Sequence, residues 1–368
     1  MKTLFSLLLL LLVMNLKAQP SRNIFIITTD GFRWQELFTG ADSLIINDTN
    51  FVKDTGLLKQ LYWHSNTEER RKKLMPFFWS TIASQGQIYG NRKFGNKVNV
   101  KNLYNISYPG YNEIFTGYAD PFITSNKPHY NKNQNVLEQL NNLQEFSGEV
   151  VAFSSWNIFP YIFNSRNGGV LVESGYHVSL TDSNHVVKQI SDGVRNKTGT
   201  RHDMLTFFSA KEYIRENHPR VVVISLGETD EHAHAKRYDL YLQHANNFDN
   251  MLSQLWYYIQ TDPFYKDITS ILITTDHGRG AEHKNWSRHT MFAKGSGHIW
   301  LALLGKNIEA LGEDKSAGKI FQNQFAATIA GFAGEEFKSN RKIGKKIALP
   351  HSSTAGSDIA EIALPLVR

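Results

Sequence analysis

The stretch "GETDEHAHAKRYD", Gly227 to Asp239, crowds Asp230, Glu231, His232 and His234 into five residues, directly after the apolar run "VVVISL". Asp230 and His234 are four apart, so a helical turn after the strand brings both side chains to one side, the spacing of a shared metal ion. A second pair, Asp276 and His277, sits at the end of "SILITTDHG", and Asp30 ends "NIFIITTDG". Each fragment alone is a weak signal, since a lone "TDHG" is an ordinary capped turn. Their coincidence at the ends of apolar runs is harder to explain by packing. Carboxylates gathered at one sheet edge repel one another unless cations neutralise them. Mixed imidazole and carboxylate donors favour zinc over magnesium or calcium.

Metal-assisted phosphoryl chemistry also needs a nucleophile. "SYPGYNEIFTG" supplies a hydroxyl, Ser107, at a predicted helix start. Pro109 suits the first turn there, and the free amides of that turn face an anion.

The elements that must position these groups are legible as five short β-branched or apolar runs: "NIFIITTDG", "EVVAFSS", "RVVVISLGETD", "SILITTDHG" and "HIWLALLG". Helix-length amphipathic segments lie between them, including "MPFFWSTIASQGQIYG", "QNVLEQLNNL", "TRHDMLTFFSAKEYIREN", "YLQHANNFDNMLSQLWYYIQ" and "NQFAATIAGFAG". Continuous apolar strands alternating with helices predict an α/β fold, a mostly parallel central sheet covered on both faces. Ligands of such sheets bind at the carboxyl ends of the strands, which is where Asp30, Asp230 and Asp276 fall. Residues 42–105 are expected to include loops decorating the sheet, and the tail after Ala348 reads as irregular and surface-lying.

With 368 residues, 41% of them hydrophobic and 20% charged, the chain is long enough for a large core. No repeat or linker divides it, so one domain is expected over residues 19–368. "MKTLFSLLLLLLVMNLKAQP" reads as a signal peptide, 1–18, cleaved after Ala18. Its apolar run is shorter than the roughly 20 residues a spanning helix needs. A secreted or periplasmic protein with no membrane attachment after cleavage is the expectation. There are no cysteines, which excludes thiol catalysis and thiolate metal sites. The formal charge of +6 falls to +4 once Lys2 and Lys17 leave with the signal, a mild excess. The clusters "EERRKKL" and "NRKIGKK" read as solvated faces, so no nucleic-acid partner is expected beyond a nucleotide as substrate.

From "TTDGFRW" to "HIWLALLG" the motifs and their order resemble the alkaline phosphatase superfamily, and within it the type I phosphodiesterase/nucleotide pyrophosphatase branch. The resemblance implies a three-layer α/β/α sandwich, two zinc ions and a covalent phosphoserine on Ser107. One zinc would be held by Asp30, Asp276, His277 and Ser107, the other by Asp230, His234 and a late histidine. Two histidines compete for that last place, His289 in "WSRHT" and His298 in "GSGHIW"; the family spacing selects His289, although Thr290 stands where the family has Gly. Sulfatases of the superfamily carry Arg four residues after the converted Ser or Cys, where this chain has Tyr111. Arg166 and Asn126 are the candidate substrate contacts, with Asn133 an alternative to Asn126. The expected activity is hydrolysis of a small-molecule phosphate ester, with monoesters favoured. The alternatives are a phosphodiesterase using the same residues, or a catalytically silent exported metal-binding protein.

Overall fold

The computed structural model describes residues 19–180, 186–195, 197 and 199–350. The expected signal peptide and the tail beyond Pro350 lie outside the described residues.

The strands are β1 (Asn23–Thr29), β2 (Gly86–Tyr89), β3 (Asn96–Asn99), β4 (Val150–Ser154), β5 (Leu171–Ser174), β6 (Val221–Leu226), β7 (Thr269–Thr274), β8 (His298–Ile299), β9 (Leu301–Gly305), β10 (Gly312–Glu313) and β11 (Gly318–Phe321). Eight of them form one sheet in the order β10-β2-β9-β7-β1-β6-β4-β5, and β11-β3-β8 form a small second sheet. β1 lies between β6 and β7 and runs parallel to both, with Thr29 opposite Leu226 and Thr28 opposite Thr274. In this sheet β9 alone runs against that direction, pairing antiparallel with β7 and β2. The central strands are buried on both faces, which is why they read as unbroken apolar runs rather than alternating ones.

The helices used below are α1 (Trp34–Thr39), α2 (Ser107–Thr116), α3 (Val136–Asn141), α4 (Asp203–Asn217), α5 (Glu228–His234), α6 (Tyr238–Thr261) and α7 (Phe325–Phe332). One sheet face sends Phe25, Ile27, Val222 and Ile224 into a core with α1, α4 and α6. The other sends Ile24, Ile26, Val221 and Val223 into a separate core with α2, α3 and α7. Two cores on opposite faces of one sheet make a three-layer α/β/α sandwich, the architecture expected from the strand and helix alternation. Each fully buried aliphatic side chain in them stabilises the fold by about 1.5–3 kcal/mol.

Three expectations need correction. The segment "MPFFWSTIASQGQIYG" is not one helix: a π-turn at Phe78–Ile82 and the short helix Ala83–Gln85 give way to β2, which joins the main sheet beside β9. Gly86 permits the switch, because a Cβ there would lie 2.2 Å from the Leu303 carbonyl oxygen. Residues 42–105 are therefore more than decoration, supplying β2, β3 and the helices Thr55–Tyr62 and Thr67–Leu74. "HIWLALLG" is two strands in two sheets, β8 pairing with β3 and β9 pairing with β7 and β2.

Candidate metal centre

The carboxyl ends of β1, β6 and β7 are adjacent, so the three acidic residues that follow them meet. Asp30 directly follows β1, Asp276 follows β7 after Thr275, and β6 passes through Gly227 into α5, which carries Asp230. Two close approaches hold the edge together. Gly31, at φ +60, has no room for a Cβ, which would lie 2.8 Å from Asp230 Oδ1 and 2.9 Å from Arg279 Nε. Gly110 lets α2 approach the turn after β7, since its Cβ would meet the Asp276 carbonyl oxygen at 2.6 Å.

Ser107 is the first residue of α2 and only 5% exposed. Its Oγ lies 3.4 Å from Asp30 Oδ1 and 3.4 Å from His277 Nε2. His277 Nε2 in turn lies 3.4 Å from Asp30 Oδ1, 3.5 Å from Asp276 Oδ2 and 3.8 Å from Asp230 Oδ1. The other ring nitrogen fixes what Nε2 is. His277 Nδ1 is 2.9 Å from the Gly278 carbonyl, which can only accept, so Nδ1 carries the proton. In the neutral ring the Nε2 lone pair then faces three carboxylates. Burial lowers the pKa of this fully buried imidazole and so disfavours a second proton.

The carboxylates are equally strained. Asp30 is pushed up to about 8, first by burial and then by the charge of Asp276. Asp276 is pushed up to about 7 by burial. Asp276 Oδ1 accepts the Gly31 amide at 3.0 Å, but its buried Oδ2 has no hydrogen-bond partner. Tyr111, the residue standing where a sulfatase has Arg, is buried and donates its hydroxyl to Asp30 Oδ2 at 3.3 Å.

A second cluster adjoins the first. His234 Nε2 lies 3.1 Å from Asp230 Oδ2 and 3.0 Å from His289 Nε2. His289 donates Nδ1–H to the Asn105 carbonyl at 3.0 Å, so its Nε2 also turns a lone pair inward. Its ring stacks on His277 at 4.1 Å and 7°, and burial drives its pKa far down. Asn105 adopts φ 51, a left-handed conformation that Asn tolerates, and that turn presents the carbonyl.

The donor set fits divalent cations. An orphaned carboxylate oxygen, imidazole lone pairs facing acids, and two imidazole nitrogens 3.0 Å apart all lack a positive partner. Asp30, Asp276 and His277 form one group whose ligand atoms lie within 4.8 Å of one another, and Asp230, His277 and His289 form another. His234 reaches the second group through both Asp230 and His289.

The structure thus brings together Asp30, Ser107, Asp230, His234, Asp276, His277 and His289. Asn126 is close by: its Oδ1 accepts the amide of Tyr108, the residue after Ser107, at 2.9 Å. Asn133 is tied elsewhere, its Nδ2 donating to Asp120 Oδ2 at 2.7 Å and to Asn112 Oδ1 at 3.2 Å. His298 sits in β8 opposite Asn99, and no described hydrogen bond or ion pair joins it to the cluster. Arg166 is exposed, its guanidinium 4.2 Å over the ring of Tyr130, and no described polar contact links it to Ser107.

One residue escaped sequence reasoning. Arg279 is fully buried; its Nη2 contacts Asp230 Oδ1, its Nη1 contacts the Ser287 carbonyl, and its Nε donates to the Gly31 carbonyl at 3.1 Å. Burial lowers its pKa to about 9. The only sequence signal was one Arg two residues after His277.

Beside His234 and His289 opens a cleft of about 600 Å³, whose lining includes Lys236, Arg288, Phe292 and Lys294.

The carboxyl edge of the α/β/α sheet, with the helix start and loop packed on it, thus gathers seven metal-competent or nucleophilic side chains. No protein-family model and no curated protein sequence matches the chain. Among solved structures it is similar to wild-type alkaline phosphatase PafA, with a TM-score of 0.56, 11% identity, and 90% of this chain and 99% of that one covered. It is also similar to the phosphonate monoester hydrolase of Agrobacterium radiobacter, with a TM-score of 0.55, 11% identity, and coverage of 89% and 76%. A 2-O GAG sulfatase gives a TM-score of 0.55, 12% identity, and coverage of 87% and 72%.

Proposed function

We propose that the chain is an exported hydrolase of phosphoric esters, with residues 1–18 cleaved and one catalytic domain over 19–368, acting through a phosphoserine on Ser107. The observation that carries this reading is the position of Ser107 Oγ, 3.4 Å from both Asp30 and His277 and beside Asp276, whose buried Oδ2 has no hydrogen-bond partner. The similar structures are an alkaline phosphatase, a phosphonate monoester hydrolase and a sulfatase, which accords with hydrolysis at a tetrahedral oxyanion centre. Of the superfamily's branches, the diesterase and pyrophosphatase one is the branch whose nucleophile segment "SYPGYNEIFTG" resembles.

In this reading Asp30, Asp276, His277 and Ser107 hold one zinc, and Asp230, His234 and His289 hold the other. Bound there, the ions would supply Lewis-acid neutralisation of phosphate charge and a lowered pKa for the serine hydroxyl. Ser107 Oγ attacks phosphorus in line, forming the Oγ–P bond as the ester O–P bond breaks. Water then attacks the phosphoserine, forming a new O–P bond and releasing Oγ, so two inversions retain configuration. In this reading the amino end of α2 would face the phosphate with its dipole, and the Asn126 carboxamide, whose Oδ1 accepts the Tyr108 amide, would donate its Nδ2–H to a phosphate oxygen. Arg279 holds Asp230 and the β1 turn in register. The cleft beside His234 and His289, with Lys236, Arg288 and Lys294 in its lining, accepts the leaving group.

Monoesters are the substrate this reading favours. Diesters are the second reading, and the position of Arg166 over Tyr130 favours it, because a monoester dianion needs an additional cation at its non-bridging oxygens. Rates on para-nitrophenyl phosphate and on its bis ester separate the two. A higher kcat/KM for the monoester supports the first reading and the reverse supports the second. No hydrolysis of either at any zinc loading leaves only a silent metal-binding protein.

A further inference from the structure

Helix α5 carries two i,i+4 pairs of metal-competent residues, offset by two positions and hence on opposite sides of the helix. Asp230 and His234 face the centre described above. Glu228 and His232 face the other way, toward His244 of α6. We propose that Glu228, His232 and His244 form a third, separate divalent-metal site of the zinc class.

The ligand atoms of these three residues lie within 4.8 Å of one another. Tetrahedral zinc with nitrogen and oxygen ligands at about 2.0–2.2 Å spaces its donors about 3.4 Å apart, so little movement is needed to close the site. His244 Nδ1 is 3.1 Å from Glu228 Oε2. That carboxylate is the described polar contact of His244 Nδ1, and His232 Nε2 is a buried atom without a hydrogen-bond partner. The two rings lie 4.4 Å apart and tilted by 33°, which places two imidazoles side by side without a hydrogen bond between them. The carboxylate is already oriented. Glu228 is 7% exposed, its Oε2 accepts the Asp203 amide at 2.9 Å and its Oε1 lies 2.8 Å from His202 Nδ1. Outer partners of this kind fix the direction of a ligating carboxylate.

Two His and one Glu supply three ligands and leave a fourth position for water. A cation there ties α5 to α6 and, through Asp203 and Glu228, to the start of α4. It therefore fixes the short helix that carries Asp230 and His234. The site stands on its own residues and does not depend on the proposed hydrolysis.

The test is zinc content by elemental analysis after exhaustive dialysis, on the full chain. His244→Ala is expected to hold one equivalent less than wild type, with an unchanged circular dichroism spectrum. The double variant His277→Ala/His289→Ala, which breaks the other centre, is expected to retain one. A folded His244→Ala with wild-type zinc content, or a folded double variant with none, overturns the proposal. If either variant fails to fold, anomalous diffraction at the zinc edge from wild-type crystals decides: a peak between Glu228, His232 and His244 supports the site, and its absence beside an occupied Asp230 overturns it.

Discussion

Two buried clusters of charge in this molecule are built in opposite ways. At the start of α1, Glu36 is fully buried and receives Arg33 through two contacts, 2.5 and 2.8 Å, with the Tyr238 hydroxyl at 2.9 Å. The burial of Glu36 is matched by a cation from the same chain. Asp30 and Asp276 are also buried and burial raises both, Asp30 further through the charge of Asp276, while the guanidinium of Arg279 makes its direct carboxylate contact with Asp230. A protein that equips Glu36 with Arg33 could equip Asp276 in the same way. That it leaves Asp276 Oδ2 without a hydrogen-bond partner is what the proposed cation site at this edge requires.

The largest expected effect is on turnover. Ser107→Ala should reduce hydrolysis of para-nitrophenyl esters by at least about 10³-fold while leaving zinc content unchanged. Steady-state kinetics and elemental analysis check both halves, and undiminished activity removes Ser107 from the chemistry.

The comparison itself is sharpened by neutralising one acid in each cluster and measuring chelator-treated protein. Glu36→Gln strands a buried guanidinium and should destabilise by about 3–5 kcal/mol. Asp276→Asn removes a charge that lacks a partner, so it should leave the metal-free protein as stable as wild type or raise its Tm by about 2 °C. Adding zinc should then raise the Tm of wild type and of Glu36→Gln, but raise that of Asp276→Asn by less. Equal losses from the two substitutions in metal-free protein would erase the distinction.

A smaller effect comes from a third kind of acid. Asp249 of α6 has neither a metal nor an Arg; its two oxygens accept the amides of Phe77 and Phe78 at 2.7 Å each, capping the π-turn. Burial pushes its pKa up to about 7 from 3.8, so the folded state holds a proton that the unfolded state releases. Stability from this group is therefore present at low pH and lost as pH rises from 3.8 toward 7. Urea titrations of Asp249→Asn across that range should show a flatter pH dependence than wild type, and an unchanged slope would place the proton elsewhere.

How much of this could be read from residues alone follows from what each feature depends on. β1, β4, β6 and β7 are central strands whose apolar runs and terminal Gly, Asp or Ser mark them locally. β2 is four residues continuing an apparently helical pattern, and its pairing with β9 and β10 makes it a strand. Asp30, Asp230 and Asp276 could be placed together because strand ends in a parallel sheet share one edge, whereas Ser107, His234 and His289 were assigned their places by the motif resemblance. The choice of His289 over His298 came from the spacing of the family it resembles, and in the structure His289 lies against His234 and His277 whereas His298 pairs with β3. Arg279 and the Glu228, His232 and His244 cluster were not legible. The first depends on how one loop folds back on Gly31, and the second on the packing of α5 against α6.

The most direct test of the claim that a cation-dependent cluster activates Ser107 is acid quenching of turnover followed by peptide mass spectrometry. Zinc-loaded protein should yield phosphate on the peptide at Ser107, and chelator-treated protein should yield none. Phosphate at another residue, or equal labelling of Ser107 after chelation, would contradict the account.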